Sequence, residues 1–191
     1  MDNKKYHLVG ITGEKFNGKD TIADYLCKKF GYCKYAFANP LKDICKIIFD
    51  LSDEQLHGNL KEVPDKRWFN LTPRQILQFV GTDLFRNNMS KLHPSFGNDI
   101  WIIVAKNKLK QLLVSNPDTL IIISDVRFEN EVNLIKEFNG IVCRVKRPIK
   151  LTDNKKDLHE SETGISNFTV DYEFINDGTK EELYEKLDEC F

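Results

Sequence analysis

Gly13 and the pair Gly18-Lys19 stand at the spacing G-x-x-x-x-G-K, directly after the run Leu8-Val9-Gly10-Ile11-Thr12. Glycine at those two places permits backbone angles that other residues resist. A loop built this way can turn its amides, and the N-terminus of a following helix, toward an anion. Lys19 adds a full positive charge suited to the terminal phosphates of a nucleotide. Such a loop needs a strand before it and a helix behind it. The β-branched apolar run supplies the first, and Ile22, Ala23, Leu26, Cys27 and Phe30 share one face of the second. A glycine turn before an ordinary helix would account for the glycines alone, but not for the lysine and both flanks together. One position departs from the usual P-loop pattern: the hydroxyl residue expected after the lysine is Asp20, and Thr21 follows it.

A second group of residues could serve the same chemistry. Asp125 closes the apolar run Leu120-Ile121-Ile122-Ile123-Ser124. A carboxylate there fits a Walker B acid, which holds magnesium directly or through water. The competing reading is an aspartate that caps the next helix. Arg127 lies two residues on, and a guanidinium can grip a phosphate with two parallel hydrogen bonds. Arg74, Arg86 and Lys42 are further candidates for a second anion site. Arg74 begins a helix, where a cation opposes the helix dipole, so helix propensity does not explain it. Trp68 and Phe69 stand in a polar segment, where they could stack on a base or form a small cluster under a long loop. Asn154-Lys155-Lys156-Asp157 matches the guanine-reading N-K-x-D pattern but follows no buried strand, and is read as chance. His159 has no cysteine or histidine partner at metal-ligand spacing.

The elements that would position these residues alternate along the chain. Strands are expected at about 6–12, 34–37, 119–124, 141–146 and 171–176. Helices are expected at about 19–30, from Pro40 through Phe49, from Thr72-Pro73-Arg74-Gln75 to about Asn87, at 100–115 and 129–138, and after Thr179-Lys180-Glu181-Glu182. Gly31 is placed to stop the first helix. The stretch from Ser52 to Asn70 reads as a polar loop, and 147–166 as a mobile flap or lid. Strands alternating with helices predict an α/β fold, a parallel five-stranded sheet covered on both faces, with ligands beyond the carboxyl ends of the strands. A single domain of 191 residues can bury a sizeable core, and 41% hydrophobic with 30% charged residues is ordinary for a globular protein. The net charge of -1 offers no global signal for nucleic acid or membrane. Five scattered cysteines without a C-x-x-C pair, and no apparent signal peptide or long apolar run, lead us to expect reduced thiols and a cytoplasmic protein.

Several motifs together resemble the deoxynucleoside monophosphate kinases of bacteriophages and large DNA viruses. They are Gly13-x4-Gly18-Lys19-Asp20-Thr21, Phe37-Ala38-Asn39-Pro40-Leu41-Lys42, Arg74-Gln75-x2-Gln78-x2-Gly81-Thr82-Asp83-x2-Arg86, Ser124-Asp125-Val126-Arg127-Phe128-x-Asn130-Glu131, His159-x-Ser161-Glu162 and Asn176-Asp177-Gly178-Thr179. They span nearly the whole chain. The aspartate after the lysine is familiar in that family and in the related phosphomevalonate kinases. The resemblance implies a P-loop kinase fold like that of nucleoside monophosphate kinases, with a helical substrate region at about 38–116 and the lid. It implies transfer of the ATP γ-phosphate to a deoxynucleoside 5′-monophosphate, with Mg2+ as the metal. ATP is then expected at Gly13, Phe16, Asn17, Gly18, Lys19, Asp20, Thr21 and Arg147, with Gly178 and Thr179 beside adenine. The monophosphate is expected at Phe37, Lys42, Trp68, Arg74, Gln78, Asp83, Arg86 and Arg127. Lys19, Asp125 and Arg127 are the expected catalytic residues, and Asp20 and Asp125 the expected metal ligands. The nearest rivals are a kinase of phosphomevalonate or dephospho-coenzyme A, and a nucleotide-binding regulatory module without turnover. A homodimer is left open.

Overall fold

The computed structural model describes residues 6–148 and 168–191. The expected lid lies, from residue 149 onward, outside the described residues. Contacts along the chain divide it into two compact units, Met1–Ala36 with Leu109–Phe191, and Phe37–Lys108.

The first unit holds the sheet. Its strands are β1 (Leu8–Thr12), β2 (Cys33–Tyr35), β3 (Ile121–Val126), β4 (Ile141–Lys146) and β5 (Tyr172–Ile175). They are all parallel and run in the order β2-β3-β1-β4-β5. This matches the fold class expected from the alternation of elements. The β1 run is buried throughout, as a central strand covered on both faces must be. On one face Val9 and Ile11 join Ile22, Ala23 and Leu26 of helix α1 (Lys19–Phe30) in a shared core. Leu183 and Leu187 of the last helix (Lys180–Asp188) and the terminal Phe191 complete that core. On the other face lies helix α6 (Glu129–Glu137), where a Cβ on Gly10 would stand 2.5 Å from Ile135 Cδ1. A side chain at position 10 would force Ile135 to move, tightening the packing of α6 on the sheet.

The ends of α1 are set by local chemistry. Gly31 takes a left-handed φ of 79° and its N–H reaches Cys27 O, closing the helix where the sequence predicts. The last helix, numbered α7, starts at the expected capping box: Glu182 N–H donates to Thr179 Oγ1, and Thr179 N–H donates to the Glu182 carboxylate.

The second unit carries α2 (Asn39–Phe49), α3 (Asp53–His57), α4 (Pro73–Gln78) and the greater part of α5 (Ile100–Ser115), joined by short tight turns. Its core is Cys45, Leu51, Leu56, Ile76, Leu77 and Val80. Two expectations need correction here. The stretch read as a polar loop contains α3, capped by Ser52 and Gln55 in a reciprocal box and anchored by buried Leu56. The spacing of Leu41, Ile44, Cys45, Ile48 and Phe49 predicts one apolar face for α2, but the buried face is narrower: Cys45 is buried, whereas Ile48 is 62% exposed. The helix opened by Thr72 ends near the expected place, but after Gln78 it widens to a looser winding over Phe79–Arg86. All five cysteines are free. Among the described residues, no helix is long and apolar enough to cross a membrane.

Candidate active site

Because every strand is parallel, all five carboxyl ends lie along one edge of the sheet. Five chain segments follow from that edge: the loop after β1, Ala36 after β2, Arg127 after β3, Arg147 after β4, and Asn176 after β5. The strand order reverses direction around β1, and ligands of such sheets bind at that reversal.

The loop is strained in the way an anion cradle requires. Gly13 has φ 149° and Gly18 φ 106°, and Phe16 also adopts a positive φ of 67°. Phe16 itself is exposed. A Cβ on Gly13 would meet Val145 O at 2.4 Å, so β4 presses directly against the loop. Neighbouring strands hold the loop from outside. Asn17 Nδ2 donates to Val145 O at 3.2 Å, and Asn176 Nδ2 donates to Asn17 O at 2.9 Å. Asn176 also donates its own N–H to Lys146 O at 2.8 Å. Lys19 Nζ folds back over the loop and donates to Gly13 O at 2.7 Å and Glu14 O at 2.8 Å. Its charge therefore sits above the cradle. Thr21 is half-buried in the first turn of α1.

Asp20 has a partner that sequence spacing does not reveal. Lys34 of β2 reaches Asp20 at 3.1 Å and Asp24 at 3.1 Å, and the Asp20 side chain is 80% exposed. Burial pulls the Lys34 pKa down, but the two carboxylates outweigh it and hold the ammonium above its usual range.

Asp125 is half-buried near the end of β3. Between Gly10 and Thr12 the pairing of β1 with β3 moves from Ile123 to Val126, so β3 holds one extra residue where Ser124 and Asp125 stand. Irregularities of this kind re-aim side chains. Tyr35, paired with Ile123 on the other side, has its pKa pushed up to about 12, first by burial and then by the Asp125 charge. Arg127 is half-buried, and its backbone is fixed by Glu131. That buried carboxylate accepts the N–H of Arg127 at 2.6 Å and of Phe128 at 3.0 Å. It thereby satisfies the amides of the N-cap Phe128 and the residue before it, just ahead of α6.

After β5, Lys186 ties down the turn by donating to Ile175 O and Asp177. The Thr179 hydroxyl is committed to capping α7, and Gly178 lies against Glu182. A hollow of about 520 Å³ beside this turn is lined by Asp177, Gly178, Glu182, Glu185, Lys186 and Glu189. Its carboxylates have the wrong sign for phosphates. Arg147 is exposed just past β4.

The other expected substrate residues belong to the second unit. Phe37 is buried, Gln78 and Arg86 are half-buried, and Asp83 is exposed. Arg74 is paired with Glu62. Lys42 Nζ lies 3.2 Å from His57 Nδ1, and burial and then Lys42 hold the His57 pKa low. Trp68 donates its indole N–H to Phe49 O at 2.9 Å and sets its ring edge-on to Phe49, whereas Phe69 is 88% exposed. Of the two readings of these aromatics, packing describes Trp68 in this structure.

Comparison with known proteins bears on the whole chain. The family model for deoxynucleotide monophosphate kinase matches residues 7–66 and 53–187. The chain belongs to that family. A protein of Acanthamoeba polyphaga mimivirus, provisionally named deoxynucleotide monophosphate kinase, is 40% identical over 186 residues, covering 96% of this chain and 95% of the relative. The deoxynucleoside-5′-monophosphate kinase of Escherichia phage T5 is 24% identical, covering 88% of this chain and 89% of its own length. Among solved structures, TT1252 from Thermus thermophilus superposes with a TM-score of 0.50 over 98% of this chain and 97% of that one, at 16% identity. That likeness concerns the fold alone.

Proposed function

We propose that this chain transfers the γ-phosphate of ATP to deoxynucleoside 5′-monophosphates, yielding the diphosphates. The family membership carries this reading, because the match spans the phosphate loop, Asp125 and the arginine-bearing segments alike. The loop amides and Lys19 hold the donor phosphates. Arg127 grips the acceptor phosphate. Little covalent work is asked of the protein, since phosphoryl transfer is mainly positioning and charge neutralisation.

Magnesium in such sites takes one or two carboxylates together with phosphate oxygens, rather than a cage made wholly of protein. The chain fits that pattern. Among the described residues, no group of three or more His, Cys, Asp or Glu could hold a metal unaided. Asp125 at the carboxyl edge would hold Mg2+ together with the nucleotide. Held there, Mg2+ would supply positive charge against the charge that develops in transfer. Asp20 would share the metal only by exchanging Lys34 for it.

The test is an ADP-release assay with ATP over all deoxy- and ribonucleoside monophosphates, with phosphomevalonate and dephospho-coenzyme A included. Turnover with one or more deoxynucleoside monophosphates is expected. Turnover only with one of the other acceptors would overturn the reading, and ATP binding without turnover would make the chain a binding module.

A further inference from the structure

Tyr35 ends β2 and Thr12 ends β1, and these strands flank β3. Both residues therefore stand at the carboxyl edge of the sheet, either side of the strand that bears Asp125. Tyr35 is 8% exposed and Thr12 is fully buried. Neither hydroxyl has a hydrogen-bond partner among the described residues. Buried hydroxyls without a partner are rare in native proteins, because they have given up water for nothing. Deep in an apolar core such a group would simply destabilise. At the edge where a parallel sheet binds its ligands, it is a donor waiting for an acceptor.

The register brings Tyr35 close to the chemistry. It pairs with Ile123, and Asp125 lies two residues further along β3, where the strand carries its extra residue. A phenol is protonated at neutral pH and can donate. A tyrosine that only filled space here would be served as well by phenylalanine.

We propose that Tyr35 is a contact residue of the phosphoryl-transfer site: its hydroxyl bonds to an oxygen that arrives with the magnesium nucleotide beside Asp125, either a phosphate oxygen or a water on the metal. The proposal rests on the kinase reading above. It adds a residue from β2 to a site otherwise built from the β1 loop and the end of β3. Sequence spacing cannot reveal it, because only pairing with β3 brings Tyr35 near Asp125.

The experiment is Tyr35→Phe in the full chain, with three readouts. Melting temperature without nucleotide should be unchanged or slightly higher, since an unpaired hydroxyl is removed. Calorimetric binding of ATP, in magnesium and in EDTA, should weaken about fivefold to tenfold in at least the magnesium arm. A loss in both arms identifies a phosphate oxygen, and a loss confined to magnesium identifies water on the metal. Turnover at saturating substrates should fall about tenfold. A melting temperature several degrees lower would show that the hydroxyl serves the fold, and would overturn the proposal. So would binding and turnover equal to the wild type. Wild-type protein that binds ATP but forms no diphosphate from any monophosphate would sink the kinase reading, while the two binding arms would still decide the role of Tyr35.

Discussion

Asp20 is the residue whose role is most open to a direct test. A carboxylate beside the phosphate loop repels the phosphates unless a cation lies between them. Lys34 supplies one such cation, at 3.1 Å, on an exposed pair. Exposed ion pairs are weak, so magnesium can displace the lysine at little cost. With Asp20→Asn we therefore expect turnover to fall about tenfold or more, with a raised magnesium requirement. Titrating magnesium at fixed ATP checks this, and overlapping curves would leave Asp20 as a partner of Lys34 alone. Arg127 makes a second test at this scale. Its backbone is fixed by Glu131, so its side chain starts from a set position. Losing a charged hydrogen bond in a closed site costs roughly 2–5 kcal/mol. Arg127→Ala should weaken use of the monophosphate by that amount while ATP binding is retained. Varying each substrate separately is the check, and a defect confined to ATP would place Arg127 in the wrong subsite.

Elements explain which parts of the fold were legible in the sequence. Helices α1 and α5 fall where expected because their boundaries are local: a glycine loop and Gly31 for one, the turn Asn116-Pro117-Asp118 after the other. The capping boxes at Thr72 and Thr179 were equally readable. Helix α3 was missed because five residues are too few to show periodicity, although Ser52-x-x-Gln55 carried the signal. The loose winding of Phe79–Arg86 and the extra residue of β3 have no such local mark. The site divides the same way. The loop, Asp125 and Arg127 announce themselves by type and spacing, but the Lys34 pair, the Asn17–Asn176 tie and Tyr35 arise only when strands meet. Glu131 shows how an element positions a candidate site residue. Glu131→Ala strips the acceptor from two N–H groups at the start of α6. The expected loss is about 1–3 kcal/mol of stability in urea unfolding. Arg127 would be misplaced as well, so acceptor use should fall further than stability alone explains. An unchanged unfolding midpoint would contradict this account of the helix start.

At the scale of the whole molecule, each compact unit has its own core, and carboxylates bind their elements together. Asp171 accepts from Val142 N–H of β4 and pairs with Lys136 of α6. Burial raises its pKa, but the Lys136 contact and the backbone N–H outweigh this and hold it below the ordinary value. In the second unit Arg67 and Gln55 hold Asp65 low as well. A depressed carboxylate contributes stability that is present above its unfolded pKa of about 3.9 and is lost as pH falls through the folded value. Melting temperature should therefore drop as pH falls below about 4, and Asp171→Asn should flatten part of that decline. An acid limb identical to the wild type would show that Asp171 is not one of its causes. Incubating the protein with γ-labelled ATP and a deoxynucleoside monophosphate should move the label into the β-phosphate of the deoxynucleoside diphosphate. Equimolar ADP should form, and folded Lys19→Ala should transfer none. Label released only as inorganic phosphate, or transfer undiminished in Lys19→Ala, would contradict the account.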